Sequence, residues 1–340
     1  MKDTAITEAN PRPYHAPSKT GITKPTVGID IGGTKINAAV VVPDSKPGEE
    51  QFQSLINAPT PTDSAVFMDT LVKMVDTLKQ QHGVAAVGIS TAGVVDSIHG
   101  RILGSTGNMP ALKNLCNLKE LLEARIHLPV HIENDANAAA YGEWRSGAAK
   151  GAENMFAITL GTGVGMGIVF NGQMYRGTHF YAAEGGHIAI SYHRERKCTC
   201  GRWDCWEAFA SGTGLQKTAA IALEAAPETA KAEFLQKYCT NNEVTTYAVI
   251  AAWKDNNHIG AKIIDQWHNH IAVGLGSLIN VMDPDMIVVG GGLAQFVNFE
   301  LLKERALERS MSNDFQLVPA TLGNHAGIVG AAYLALETLS

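Results

Sequence analysis

A short apolar run, a glycine-rich turn and a second apolar run occur twice in this chain. The first copy covers residues 27–42 around a turn at 32–35, and the second covers residues 156–170 around a turn at 161–167. Each copy is typical of two β-strands joined by a glycine turn. An internal duplication of one α/β unit explains the repeat better than coincidence, and it points to a fold with two related halves.

Strand-like and helix-like segments alternate along the rest of the chain. Further strands are predicted at 84–90, 130–133 and 286–289. Helices are predicted at 69–81, 118–125, 136–144, 213–225, 259–282 and, at the end of the chain, about 327–339. This alternation predicts parallel or mixed sheets covered by helices, with ligands bound at the strand ends where glycines let the backbone come close.

Composition narrows the possible partners and the compartment. A chain of 340 residues with 45% hydrophobic residues can bury one large core or two moderate ones, and two domains are expected. The net charge of -6 and the lack of a Lys/Arg run argue against nucleic-acid binding. Five cysteines, three of them clustered, without a targeting or membrane-spanning segment, predict a cytoplasmic protein with small-molecule partners.

One histidine and three cysteines are grouped within nineteen residues, as His187, Cys198, Cys200 and Cys205. A C-x-C-x4-C run with an upstream histidine fits a closed tetrahedral Cys3His zinc site, in which the metal is structural because no position is left for water. Glu184 and Glu207 flank this set, so the metal would hold two carboxylates toward one pocket. A disulfide pair or buried free thiols is the alternative.

The glycine turns carry the first chemical hypothesis. Polyphosphate needs several backbone N–H donors at close range, and turns of residues without a Cβ provide them. Thr34 and Thr162 add hydroxyl donors, and Asp30 lies beside the first turn. Neither turn matches a P-loop or a dinucleotide fingerprint. Alternate glycines that only allow strands to pack closely are the other interpretation.

Asn134 and Asp135 lie where a predicted strand ends and a helix begins. A helix N-cap is the ordinary explanation for such a pair. A phosphoryl-transfer enzyme, however, needs a carboxylate that accepts the proton of the substrate hydroxyl, and Asp135 is the best candidate for that base. Polar groups for the hydroxyls of a sugar would come from Asn108, Asn134, Glu184, His187 and Glu207.

Five segments, in this order, resemble the motifs of the ROK family, which groups sugar kinases with related transcriptional repressors. They are Ile29-Asp30-Ile31-Gly32-Gly33-Thr34-Lys35, Glu133-Asn134-Asp135-Ala136-Asn137, Leu160-Gly161-Thr162-Gly163-Val164-Gly165, Glu184-Gly185-Gly186-His187 and Cys198-x-Cys200-Gly201-x-x-x-Cys205-x-Glu207. The resemblance covers about residues 26–335.

The resemblance implies an α/β, two-domain, actin-like ATPase fold as in hexokinases, with a structural zinc loop and with ATP in the cleft. A disordered arm is expected at 1–25, a small domain at 26–135 plus the C-terminal helix at about 325–340, and a large domain with the zinc site at 136–324. Homodimers or higher homo-oligomers are usual in the family. Asp30 is the side chain expected to hold Mg²⁺, through water.

The resemblance also assigns roles to individual residues. It makes Asp135 the catalytic base, and it places Asn108, Asn134, Glu184, His187 and Glu207 on the sugar. His187, Cys198, Cys200 and Cys205 match the zinc ligands. The nucleotide would be contacted by the residues of three turns, Gly32, Gly33, Thr34, Lys35, Gly161, Thr162, Gly163, Gly291 and Gly292.

Two residues depart from the family pattern, because Ala183 and Asp204 stand where glycine is usual. For Asp204 we expect a strained turn or an altered metal affinity. A repressor would carry an added N-terminal winged-helix domain, for which about 25 residues are too few, and a non-catalytic sensor would have lost the base or the phosphate turns. We therefore expect an ATP-dependent hexose kinase. Val94 offers no polar contact to an acetyl group, which favours glucose over N-acetylmannosamine or N-acetylglucosamine.

Overall fold

The structure is a computed structural model, and it describes residues 24–43, 52–104 and 109–339. Nearly all of the predicted N-terminal arm at 1–25 lies outside the described residues, and so does Asn108.

Two five-stranded sheets have the same topology, in which an antiparallel meander of three strands is followed by two parallel strands. The first sheet has the order β3-β2-β1-β4-β7, and its strands are β1 Thr26–Ile31, β2 Lys35–Val41, β3 Phe52–Pro59, β4 Val87–Thr91 and β7 Val130–Asn134. The second has the order β10-β9-β8-β11-β12, with β8 Met155–Leu160, β9 Val164–Phe170, β10 Gln173–Met174, β11 Met286–Gly290 and β12 Gln316–Pro319. A small hairpin pairs β5 Val94–Asp96 with β6 Arg101–Gly104.

The helices of the described residues follow the strands in the order expected of repeated α/β units. They are α1 Ser64–His82, α2 Leu118–Ile126, α3 Asp135–Ser146, α4 Glu207–Ala210, α5 Gly212–Glu224, α6 Glu228–Tyr238, α7 Thr246–Lys254, α8 His258–Met282, α9 Phe299–Leu307 and α10 Ala326–Glu337. The predicted duplication is thus visible as two sheets of equal connectivity.

Alternate residues of each central strand face different layers, because side chains point to opposite faces of a strand. In β1, Val27 and Ile29 pack against α1 and α2. In β8, Phe156 and Ile158 pack with α5 and α8, and α6, α7 and α9 complete that core. A third core lies between the sheets and contains α3 and α10, so the layers are helices, sheet, two helices, sheet and helices.

Helices α3 and α10 approach each other and the sheets at backbone distance. A Cβ on Gly330 of α10 would lie 1.7 Å from the carbonyl oxygen of Ala138 in α3. On the first sheet, a Cβ on Gly88 of β4 would lie 1.9 Å from the Ala331 carbonyl of α10. On the second sheet, a Cβ on Gly167 of β9 would lie 2.7 Å from the Ala136 carbonyl of α3. Glycine is required at these positions because the neighbouring backbone occupies the space of a side chain.

The long periodic segments were predicted well, and several short ones were not. The predicted helices at 118–125, 259–282 and 327–339 match α2, α8 and α10 within a few residues at each end. Strands β3 and β12 and helices α6, α7 and α9 were not predicted. Among the described residues, no helix combines the length and the apolar character that crossing a membrane requires.

We expect Gly330→Ala to destabilise the protein by about 3 kcal/mol or more, because the added methyl overlaps backbone that cannot move without separating α3 from α10. The free energy of unfolding, measured by urea denaturation, checks this. Gly104→Ala is the matched control, because the nearest atoms to its Cβ would be 4.0 Å away. Equal stability of the two variants would contradict the proposed close contact.

Candidate functional site

A cavity of about 680 Å³ opens between the end of β7, the β8–β9 turn and the loop that precedes α4. Asp135 and His187 both line it, so the predicted base and the predicted metal-binding segment face the same space. The predicted sugar ligands Asn134, Glu184 and Glu207 line it as well. The remaining predicted sugar ligand, Asn108, lies outside the described residues.

Asn134 is the N-cap of α3, as the ordinary interpretation of this pair predicts. Its side-chain oxygen accepts hydrogen bonds from the N–H groups of Ala136 and Asn137 at 2.9 and 3.1 Å. Its amide nitrogen donates to the Gly93 carbonyl at 3.0 Å. The cap fixes the start of α3, and Asp135 in the first turn is left open to the cavity.

The side chain of Asp135 is exposed in the cavity, although many protein atoms lie around its carboxylate. Desolvation by these atoms raises the pKa of Asp135 above its ordinary value of 3.8, and the N–H of Ala136 at the start of α3 acts in the opposite direction. A carboxylate with a raised pKa binds a proton more readily than one in water, which suits a general base.

A second cavity of about 520 Å³ meets the first at Asp135, which lines both. Asp30 and Lys35 face this second cavity. Burial raises the pKa of Asp30, and the negative charge of Asp135 raises it further, while a 2.8 Å hydrogen bond from the Ser90 hydroxyl lowers it. Two acidic side chains therefore sit close enough to interact where the cavities join, and a cation there would relieve their repulsion.

The predicted nucleotide-contacting residues are divided between these spaces. The first cavity is lined by three residues of the β8–β9 turn, Gly161, Thr162 and Gly163, and by Gly291, which follows β11. Asp30 and Lys35 line the second. Neither cavity is lined by Gly32, Gly33, Thr34 or Gly292.

Gly291 has a positive φ of 86°, and a Cβ there would lie 2.4 Å from the Leu160 carbonyl. The backbone of Gly291 therefore presses on the end of β8. The strand-packing interpretation concerned the glycines at 161–167, and it is correct for Gly167, because a Cβ there would lie 2.7 Å from the Ala136 carbonyl of α3. Gly161 shows the opposite behaviour, because a Cβ there would meet no atom within 4 Å.

The four predicted metal ligands form one cluster. The ligand atoms of His187, Cys198, Cys200 and Cys205 all lie within 4.8 Å of one another. The Cys200 and Cys205 sulfurs are 3.6 Å apart, and the Cys198 sulfur lies 3.8 Å from Nδ1 of His187. Zn–S bonds of about 2.3 Å place tetrahedral sulfurs about 3.8 Å apart, so the cluster has the size of a zinc site. These cysteines are free, so of the two alternatives to a metal site the disulfide pair is wrong, whereas free thiols agree with the structure.

Glu207 joins the cysteine loop to the β8–β9 turn. One carboxylate oxygen accepts the N–H of Val164 at 3.1 Å, and the other accepts the hydroxyl of Thr199 at 3.1 Å. Burial raises the pKa of Glu184 on the neighbouring segment; the negative charges of Asp135 and Glu207 add to this, and His187 opposes it. Three carboxylates and one imidazole thus interact around the first cavity.

Both departures from the family's glycines adopt the left-handed conformation that glycine favours. Ala183 has φ 65° and Asp204 has φ 59°. The strained turn expected at Asp204 is therefore present. Its carboxylate accepts the backbone N–H groups of Arg194 and Arg196 at 2.7 and 2.8 Å. These hydrogen bonds hold the two sides of the cysteine loop together and help to offset the backbone strain.

Several groups at the site had no signal in the sequence. The Thr199 hydroxyl pairs with Glu207 eight residues further on. The Val164 N–H and the Gly93 carbonyl pair with Glu207 and Asn134, which are distant in the chain. A backbone group carries no side-chain identity, so no residue pattern could have singled it out. Thr159 lines both cavities and was not predicted either.

Comparisons with known proteins show which family the chain resembles in sequence. The model of the ROK family matches residues 26–338. The chain is 35% identical over 318 residues to a glucokinase of Streptomyces coelicolor, covering 92% of this chain and 98% of that one. It is 29% identical over 324 residues to an N-acetyl-D-glucosamine kinase of Escherichia fergusonii, covering 91% and 99%.

A solved structure shows the same fold. The ROK family glucokinase of Streptomyces griseus, crystallised with glucose and AMPPNP, superposes with a TM-score of 0.72 at 33% identity, covering 92% of this chain and 99% of that one. The matched segment spans almost all of the described residues and contains both sheets and the cysteine loop. The chain therefore belongs to the ROK family and has the mixed α/β, actin-like fold of its sugar kinases.

Proposed function

We propose that this protein is an ATP-dependent hexose kinase that transfers the γ-phosphoryl group of ATP to the 6-hydroxyl of glucose. The observation that carries the proposal is the convergence of Asp135, Glu184, His187 and Glu207 on one cavity beside the β8–β9 glycine turn. A sensor without catalysis would need neither the carboxylate of Asp135 nor the turn.

In the proposed reaction Asp135 accepts the proton of the sugar hydroxyl as its oxygen attacks the γ-phosphorus. The start of α3 fixes the carboxylate, which faces the first cavity. Glu184, His187 and Glu207 would accept and donate hydrogen bonds to the ring hydroxyls, with Asn134 and Asn108 as further partners. Closure of the two halves, about 26–135 with the last helix and 136–324, would exclude water and limit hydrolysis of ATP.

The triphosphate would lie between the turns at 32–35 and 161–163 and the glycines Gly291 and Gly292. Mg²⁺ fits beside Asp30, whose buried carboxylate accepts one hydrogen bond from Ser90 and faces the charge of Asp135. When bound, the cation would neutralise charge on the phosphate oxygens. Lys35 lines the same cavity and would add a positive charge there.

The cysteine cluster would hold a structural Zn²⁺, since three thiols and one imidazole complete a tetrahedron and leave no position for water. Its part in the reaction is to hold His187 and the segment that leads to Glu207. Free clustered thiols also support the proposal that the protein works in the reducing cytoplasm. Assembly as a homodimer or larger homo-oligomer is proposed from the family resemblance alone.

Asp135→Asn should lower kcat by about 10² to 10⁴-fold while sugar and ATP binding stay within a few-fold, because a base acts mainly in the transition state. Steady-state kinetics and calorimetric titration measure the two effects. In the wild type, kcat/KM should fall on acidification through a pKa above 3.8, since Asp135 must be deprotonated and burial raises its pKa. Wild-type turnover in the Asp135→Asn variant would remove Asp135 from the mechanism.

Across a panel of glucose, mannose, fructose, allose, N-acetylglucosamine and N-acetylmannosamine, we expect the highest kcat/KM for glucose. Val94 lines the cavity and has no polar atom for an acetyl carbonyl, and burying that carbonyl without a partner is unfavourable. A coupled assay of ADP release measures the ranking. Preference for either acetamido sugar would support the alternative, an N-acetylhexosamine kinase, for which the 29% identical relative is a precedent.

Metal analysis of the purified protein should find about one zinc per chain. Asp204→Gly should release it to a chelator about tenfold faster, because the loop loses the two hydrogen bonds to Arg194 and Arg196. The rate of zinc release from Asp204→Asn should lie between those of wild type and Asp204→Gly, since asparagine tolerates the left-handed conformation and keeps one acceptor.

Asp283→Gly is the matched control for this experiment, because Asp283 also has a positive φ, 44°, but ends α8 outside the cysteine cluster. It should release zinc at the wild-type rate. Purified protein without zinc would contradict the predicted zinc site. Equal rates of zinc release from Asp204→Gly and wild type would contradict the predicted role of Asp204.

A further inference from the structure

Glu133 is the last residue before the Asn134–Asp135 pair, and its side chain is only 1% exposed. One of its carboxylate oxygens accepts the backbone N–H of Asn134 at 3.1 Å and the side-chain amide of Asn137 at 3.1 Å. Glu133 therefore holds the peptide that leads into Asp135 and also the first turn of α3. This role is separate from the cap formed by Asn134.

The other oxygen of Glu133 binds Arg176, which follows β10 in the other sheet. Nε and one terminal nitrogen of the guanidinium both lie 2.7 Å from this oxygen. Burial alone would raise the pKa of Glu133, but His131 and Arg176 outweigh it, so the pKa is lowered and the carboxylate stays charged. The result is a buried ion pair between the end of β7 and the segment after β10.

The backbone of Arg176 holds a second part of the site. Its carbonyl accepts the N–H of Ala182 at 3.2 Å and so closes the loop between them. Phe180, Ala182, Ala183 and Glu184 from this segment all line the first cavity. Arg176 thus contacts the segment of the proposed base through its side chain and anchors the loop of the proposed sugar ligand through its main chain.

We propose that Arg176 is a positioning residue that fixes Asp135 and the Glu184 loop relative to each other. The inference rests on the proposed kinase function, because it assigns Arg176 a part in that reaction. Arg176 is not among the residues that line the cavity, so it acts through Glu133 and Ala182. Displacing a reacting group by about 1 Å can cost about 10²-fold in rate, which gives the size of the expected effect.

The test compares four variants of the full-length protein, Arg176→Met, Arg176→Lys, Glu133→Gln and the double variant Arg176→Met/Glu133→Gln. For each, kcat, the KM values for sugar and ATP, and Tm are measured. We expect kcat to fall about 30 to 100-fold in Arg176→Met, with the KM for ATP within about twofold. The lysine variant should recover part of this loss, because it keeps the charge but not the paired donors.

The double variant separates a shared function from two independent ones. If Arg176 and Glu133 act as one unit, its kcat should resemble that of the single variants and not the product of their losses. Arg145→Met is the matched control, since Arg145 also forms an ion pair from α3, at 2.8 Å to Glu337, but near the end of the helix away from Asp135. We expect it to lower Tm and leave kcat within about twofold.

If the wild type is active and the variants Arg176→Met and Glu133→Gln keep the wild-type kcat per folded protein, the inference about Arg176 is wrong. The proposed kinase function would stand. That pattern, with a lower Tm, would mean that the pair only stabilises the fold. If Arg176→Met does not fold, Arg176→Lys and Glu133→Gln decide the question by the same criterion. A wild type without kinase activity on any sugar would overturn the proposed function and this inference with it.

Discussion

The close packing of α3 between α10 and the second sheet is the constraint on which the rest of the structure depends. Glycines at 88, 167 and 330 let helix backbones press directly on strands and on each other. Because α3 begins with Asp135, this packing also sets where the carboxylate stands relative to the β8–β9 turn. A shift of the helix would move the proposed base and disturb the cavity at once.

The site is built from acidic groups that are kept close together against their mutual repulsion. Asp30, Asp135 and Glu184 all have raised pKa values, with burial as the main cause and neighbouring carboxylates adding to it for Asp30 and Glu184. Such an arrangement is costly for the isolated protein and becomes favourable when a cation and hydroxyl-rich ligands supply the missing partners. The unfavourable grouping of carboxylates lies where the two cavities meet. In the proposed reaction the phosphoryl group would be transferred at this point.

Much of the site could be predicted because its parts carry local signals. Four candidate metal ligands within nineteen residues, glycine turns after short strands, and an Asn-Asp pair at a strand–helix junction can each be recognised without a structure. Strand β3, partly exposed, and the short helices α6 and α7 could not, since their apolar patterns are weak or brief. A strained turn or an altered metal affinity was expected at Asp204; the strained turn is present, and the tertiary structure adds that the carboxylate binds two backbone amides.

By itself the sequence determined the repeated α/β units, the cysteine cluster and the set of polar residues, because periodicity and spacing are properties of neighbouring residues. Only the tertiary structure decided that Asp135 and His187 share a cavity, that Glu207 reaches the Val164 amide, and that Arg176 pairs with Glu133. The residues of these pairs lie 43 to 52 positions apart in the chain. Their geometry follows from how the two sheets and the helices between them pack, which no local pattern specifies.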